Sequence, residues 1–374
     1  MTGQVAYKDR DSNIELLRIV CMLMIISHHV VIHGGVLRNG INQWQNLVWG
    51  AVLQPGGKIG FDCFIVITAW YGIGKPFKAE RFLKVAMQVV FYTLLGLLLT
   101  GWATGFSSLS VRTWIGSLFP IFGNSHGFAT AYLLFVLIMP FLNAIEDRLS
   151  SDNLKLILLL LFGMQVWSGM FAKLIRFERW VSFESELNIF VFIYFAVCYI
   201  KKRQTVPRIF TRKTAWLGAL LFIWFFTGGL NALSTLNPES SALYTAKQLV
   251  NDESSLLNVA AAFCLFFLFR EMRNVKSERI NRLARHTFGV LLFHDHEYFR
   301  ESIWKILCVE NACSFGVLFF CLYTAAVVAG IFALGVLIDS LRTRFLENAI
   351  VKTRFFTKTA QWIGKYARMD LKRE

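Results

Sequence analysis

Apolar residues fall along this chain in runs of about 20, the length a helix needs to cross a bilayer. The runs lie at 14–33, 47–74, 82–104, 127–144, 154–175, 187–200, 215–233, 255–269, 286–307 and 314–338. They predict an all-α, polytopic integral membrane protein with about ten transmembrane helices. The second run is long and is interrupted by Pro55-Gly56-Gly57, which predicts a short entry segment ahead of the true span at 58–74. The sixth is short unless it begins near Phe183. No internal repeat or disordered linker divides the chain, so 1–374 reads as one domain with a helical core at about 12–338 and a basic tail at 339–374. The first run is too long for a signal-peptide core and no small-residue cleavage site accompanies it, so no cleavable leader is expected.

The polar stretches carry the charge in an alternating order. Segment 75–84 holds Lys75, Lys78, Arg81 and Lys84 against Glu80. Segment 201–213 has six basic residues and no acid, and 270–285 has six against two. The tail from Arg342 has nine against three. Between them, 34–46 carries only Arg38, and 234–254 has one Lys against three acids. Segment 145–153 has one Arg against three acids and is weak evidence for either side. Basic loops mark the cytoplasmic side of a membrane protein, so both termini are expected there. The net charge of +15 is thereby explained without a nucleic-acid partner. Composition agrees: 55% of residues are hydrophobic and only 17% charged, more apolar surface than a water-soluble core of this length needs. Five of the seven cysteines (Cys21, Cys63, Cys198, Cys264, Cys321) lie in apolar stretches as small hydrophobes. Cys308 and Cys313 flank a short loop, and a disulfide there depends on an oxidising compartment.

Ionisable groups inside a span are costly and mark functional sites by default. The first run holds Glu15, Arg18, His28, His29 and His33. Eleven residues separate Arg18 from His29, close to three whole turns, which puts both on one face about 16 Å apart. Glu15 falls near that face, and His28 is turned away by one residue step. On a bland reading Arg18 snorkels to lipid phosphate and His29 bonds a neighbouring helix. On a functional reading one pole of this face handles an anion while the imidazole serves as a base. His294-Asp295-His296 lies within the ninth run and suits ligand orientation, metal binding or interhelical packing. Asp62 sits inside the second run. Arg81 and Lys84 follow at helical spacing as a pair suited to phosphate oxygens, or simply as topology determinants. His126 stands at the outer mouth of the fourth run.

Taken together, these segments resemble the membrane-bound acyltransferase 3 family, in its polysaccharide O-acetyltransferase branch. That family carries an arginine, ten intervening residues and a histidine in its first helix, which Arg18 and His29 match. Its glycine-rich entry to the second helix, followed by a basic pair, resembles GGKIGFDCFIVI and then ERFLK. FATAYLLFVLIMPFLN resembles the fourth-helix region, and TFGVLLFHDHEYFRESIW the late segment in which a histidine ends a short apolar run. The likeness runs from about Ser12 to Ile338. The family usually shows Ser-Gly after the second-helix run where this chain has Thr68-Ala69. It often has a tryptophan where this chain has Gly127.

The resemblance implies transfer of an acyl group, acetyl by default, from acyl-CoA to a hydroxyl of a cell-surface or exopolysaccharide glycan or its lipid-linked precursor. Acetyl-CoA would then be the co-substrate, with no metal. The setting would be a multi-pass protein of the bacterial cytoplasmic membrane, alongside other envelope biosynthesis proteins. Arg18, Arg81 and Lys84 are the expected donor-binding residues. His29 is expected to act as general base or as transient acyl carrier, with His294 assisting. Asp62, His126 and Asp295 are expected toward the acceptor. Two other classes fit parts of the pattern. A transporter or flippase would also use intramembrane charges and a broken helix. A metal site would use the i, i+4 pair His29 and His33 with His28, His294, Asp295 and His296.

Overall fold

The computed structural model describes residues 11–39, 42–119, 127–167, 185–203, 212–252, 255–273, 275–297 and 299–367. Among them the chain is helical, with no strand. The principal helices are α1 (Ser12–His33), α2 (Trp44–Leu53), α3 (Pro55–Gly72), α4 (Ala79–Thr104), α5 (Gly127–Arg148), α6 (Ser151–Val166), α7 (Glu186–Arg203) and α8 (Lys213–Leu236). They continue with α9 (Ser241–Asn251), α10 (Leu256–Arg270), α11 (Glu278–Ala284), α12 (Thr287–His294), α13 (Arg300–Ile306), α14 (Val317–Leu341) and α15 (Arg354–Ala367).

Five of these are long and apolar enough to cross a membrane: α1, α4, α5, α8 and the continuous stretch Val317–Val351 that contains α14. The bent pair α9 and α10 makes a sixth if taken as one span. The expected ten runs therefore resolve unevenly. The second is two helices that meet at Gln54, with Pro55 in the first turn of α3, where a missing N–H costs nothing. The ninth is not continuous either: α12 stops at His294 and α13 restarts at Arg300. The polar run after Phe293 explains the stop. His126 and Phe183 lie outside the described residues.

Helix α1 is the most enclosed of the long helices. It packs chiefly on α3, and also on α10, α11, α12 and α14. The glycines of α3 make that approach possible. A Cβ at Gly60 would stand 2.8 Å from the Cys21 carbonyl oxygen, and one at Gly57 would collide with the His28 ring. In a bilayer, where lipid is as apolar as a leucine, such small residues let van der Waals packing join helices. The Pro-Gly-Gly sequence is thus a helix start followed by a packing face.

Caps and buried amides hold the two ends. Asp11 accepts from the Asn13 backbone N–H at 3.1 Å. The Asn13 side chain donates to the carbonyls of Met272 (3.2 Å) and Arg273 (3.3 Å) and accepts from the Val275 N–H. At the same end Lys201 donates to the Trp70 carbonyl at 2.6 Å, and the Arg270 guanidinium lies 4.3 Å from the Trp70 ring centre. Lys202 pairs with Glu146 at 3.0 Å, and Lys84 faces Glu347 at 3.7 Å. The four basic segments therefore gather at one end of the bundle with the start of α1. At the opposite end the Asn46 amide donates to the carbonyls of Cys313 (3.0 Å) and Phe315 (2.7 Å), joining the charge-poor loops. Cys308 is exposed and Cys313 buried, and both are free thiols.

Candidate functional site

The site is built where the last turns of α1 meet the end of α12. His29 and His294 are both buried, and His29 Nδ1 lies 3.0 Å from His294 Nε2. His294 Nδ1 lies 2.6 Å from the Val290 carbonyl oxygen. A carbonyl only accepts, so His294 Nδ1 carries a proton. In the neutral pair, His294 Nε2 is then the acceptor and His29 Nδ1 the donor. That leaves the lone pair of His29 on Nε2. Nε2 stands 3.8 Å from Asp295 Oδ1, and Arg300 holds the same oxygen at 3.2 Å. The arrangement can accept a proton at Nε2 and stabilise the resulting imidazolium against Asp295.

The other histidines have distinct surroundings. His28 bonds from Nδ1 to the Gln54 carbonyl at 2.5 Å, at the junction of α2 and α3. His296 packs against Gly96 of α4. Of the triplet, His294 and Asp295 thus flank the His29 ring while His296 turns to α4. The His33 ring centre lies 5.2 Å from that of His29, one turn along α1. His29, His33 and Asp295 each offer a ligand atom within 4.8 Å of the others, the group among the described residues that could hold a metal ion. Zinc bonds of about 2.0–2.2 Å would require these donors to draw closer together.

Two cavities lie along the helices that carry the histidine pair, and neither is lined by His29 or His294. The inner one, about 180 Å³, is lined by Arg18, Met22, Thr68, Tyr132, Arg285 and Leu291, among others. Arg18 makes a loose ion pair with Glu15 at 3.9 Å, and its buried Nε has no hydrogen-bond partner among the described residues. Thr68 Oγ1 lies 3.5 Å from the Tyr132 hydroxyl. The outer cavity, about 470 Å³, is lined by His33, Arg38, Glu301, Trp304, Lys305 and Asn311 with their neighbours. On α12, Leu291 lines the inner cavity and His294 sits one turn further on. On α1, Met22 lies on the inner side of His29 and His33 on the outer side.

Of the residues expected from sequence, the structure brings together His29, His294 and Asp295, with Arg18 on the same helix at the inner cavity. It does not bring Arg81 or Lys84 to that cavity. Arg81 is exposed, and Lys84 faces Glu347. Asp62 is buried within α3 away from both cavity linings. Arg285 and Arg300 are the additions. Arg285 is the last cation of segment 270–285, directly before an apolar run, and that position is its sequence trace. Arg300 follows Asp295 by five residues inside the 286–307 run and is not among the residues expected from sequence.

Several helices long and apolar enough to span a bilayer, packed around a buried histidine pair, point to a multi-pass membrane protein. The family model for the acyltransferase domain, of the acyltransferase 3 type, matches residues 11–336, and the chain belongs to that family. No curated protein and no solved structure matches the chain.

Proposed function

We propose that this protein transfers an acyl group, acetyl in the first instance, from acyl-CoA to a hydroxyl of a glycan or its lipid-linked precursor. The observation that carries the reading is the His29–His294 pair standing between two cavities at opposite ends of the bundle. Arg18 and Arg285 meet the phosphates of the donor by charge-assisted hydrogen bonds at the basic, cytoplasmic end. The thioester arm enters past Met22 and Leu291. The acceptor enters by the outer cavity.

His29 Nε2 takes the proton of the acceptor hydroxyl as its oxygen attacks the thioester carbonyl carbon. The C–S bond breaks, the thiolate of CoA leaves, and the imidazolium returns the proton to it. Ester and free CoA thiol are the products. His294 fixes the tautomer that leaves Nε2 basic, and Asp295 with Arg300 offsets the transient positive charge. The membrane is the bacterial cytoplasmic membrane, crossed by about ten segments once the shorter apolar helices are included.

Sidedness tests the scheme. In inside-out vesicles, acetyl-labelled CoA added outside reaches the basic end, and label is expected in the glycan or lipid-linked fraction. Labelling only from right-side-out vesicles would reverse the assignment of the two cavities. Passage of an unmodified solute, with no label transferred from either face, would favour a transporter.

A further inference from the structure

Helix α15 has no part in the site above, and its three faces differ sharply. Phe356 and Ala360 are buried, 4% and 6% exposed, on the side packed against α4, where Ala79 approaches Gly364. Phe355 and Trp362 lie seven residues apart, two turns along one stripe, and are 79% and 63% exposed. Arg354, Lys358 and Lys365 form the adjoining stripe and are all exposed. Only two residues, Lys352 and Thr353, separate α15 from the end of the long apolar stretch at Val351. On the way, Phe345 continues the exposed apolar surface at 66%.

We propose that α15 lies in the plane of the membrane surface at the basic end, with Phe355 and Trp362 set into the acyl boundary and Arg354, Lys358 and Lys365 against anionic headgroups. An exposed aromatic stripe beside a stripe of Lys and Arg is the pattern of an interfacial helix. The occupant of the aromatic stripe is lipid because this surface continues directly from one that crosses the bilayer. The basic stripe sets its preference, since each cation near an anionic leaflet strengthens surface binding by roughly fivefold. Docked in this way, α15 also braces the first turns of α4, a few residues before Val85 and Gln88 enter the inner cavity.

The test uses the full chain in nanodiscs, in a Cys308→Ser, Cys321→Ser background. A nitroxide is placed at Trp362→Cys or, as the neighbour on the polar side, at Gln361→Cys. Both positions are exposed. At 362 the ratio of oxygen to nickel-chelate collisions should exceed that at 361 by about threefold or more. Adding phosphatidylglycerol to phosphatidylcholine discs should deepen the 362 label. Replacing Arg354, Lys358 and Lys365 by Gln should abolish that shift. Equal collision ratios at 361 and 362 would overturn the proposal. So would a label at 362 shielded from both reagents in lipid and in detergent, which would mean a protein covers the stripe. A depth indifferent to phosphatidylglycerol would overturn the anionic preference.

Discussion

His29 donates from Nδ1 to His294 Nε2 across 3.0 Å, and the Val290 carbonyl behind His294 sets the direction of that bond. The consequence is chemical: the free lone pair of His29 lies on the nitrogen that faces Asp295 and the ring of His33.

In the proposed mechanism His294 positions another residue. Replacement by Ala removes the acceptor and releases the ring of His29, and kcat should fall by about 10²-fold, within the range general-base catalysis supplies. His294→Gln keeps a carbonyl oxygen for the Nδ1 proton and should recover a substantial part of that loss with little change in KM. Equal rates for wild type and His294→Ala, measured by release of CoA thiol, would remove His294 from the mechanism.

Donor binding separates the cations that the sequence treats alike. Arg18→Gln and Arg285→Gln should each raise the KM for acyl-CoA by about tenfold or more, the cost of about 1.5–3 kcal/mol for a lost hydrogen bond to a charged group. Arg81→Gln should leave KM within about twofold, because an exposed cation outside the cavity contributes little. The reverse ranking would place the phosphates along the start of α4.

Packing of α1 on α3 should fail at one methyl. Gly57→Ala drives a Cβ into the imidazole of His28, which is tied to Gln54, and overpacking of this kind costs about 1–3 kcal/mol. Gly218, on α8, has open space where its Cβ would stand. Gly218→Ala should be neutral or mildly stabilising. Unfolding midpoints in the same detergent compare the two, and an unshifted Gly57→Ala would show that α3 can move away from α1.

A second buried cluster is expected to matter for stability. Asp339 of α14 accepts from Gln88 (2.9 Å), Tyr92 (3.2 Å) and Arg342 (2.8 Å), and its other oxygen lies 2.7 Å from His286 Nδ1. Breaking such a buried pair leaves a charge uncompensated, at a cost of about 3–5 kcal/mol. Asp339→Leu should accordingly yield little monodisperse protein. A variant as stable as wild type would show that Glu347, which also accepts from Arg342, is sufficient alone.

The sequence made some of this legible and hid the rest for physical reasons. The shared face of Arg18 and His29 follows from helix geometry, and one helix carries both. The gathering of basic loops at one end follows from their alternation. The meeting of His29 with His294 spans 265 residues, and periodicity within either segment says nothing of which helices touch. The end of α12 at His294 was obscured because apolar residues resume within the 286–307 run. Arg285 and Arg81 look equivalent as loop cations, and only the packing of α11 and α12 against α1 puts one of them at a cavity. Pro55-Gly56-Gly57 reads as a break, yet its glycines serve close helix contact that hydropathy does not register.

The most direct measurement is transfer of label from acetyl-labelled CoA in membranes holding matched amounts of wild type or His29→Ala protein of wild-type stability. Label entering a glycan or lipid-linked fraction with wild type, and falling by about 10²-fold or more with His29→Ala, is the predicted result. Equal labelling by both would contradict the account at its centre, because removal of the hydroxyl proton is assigned to His29.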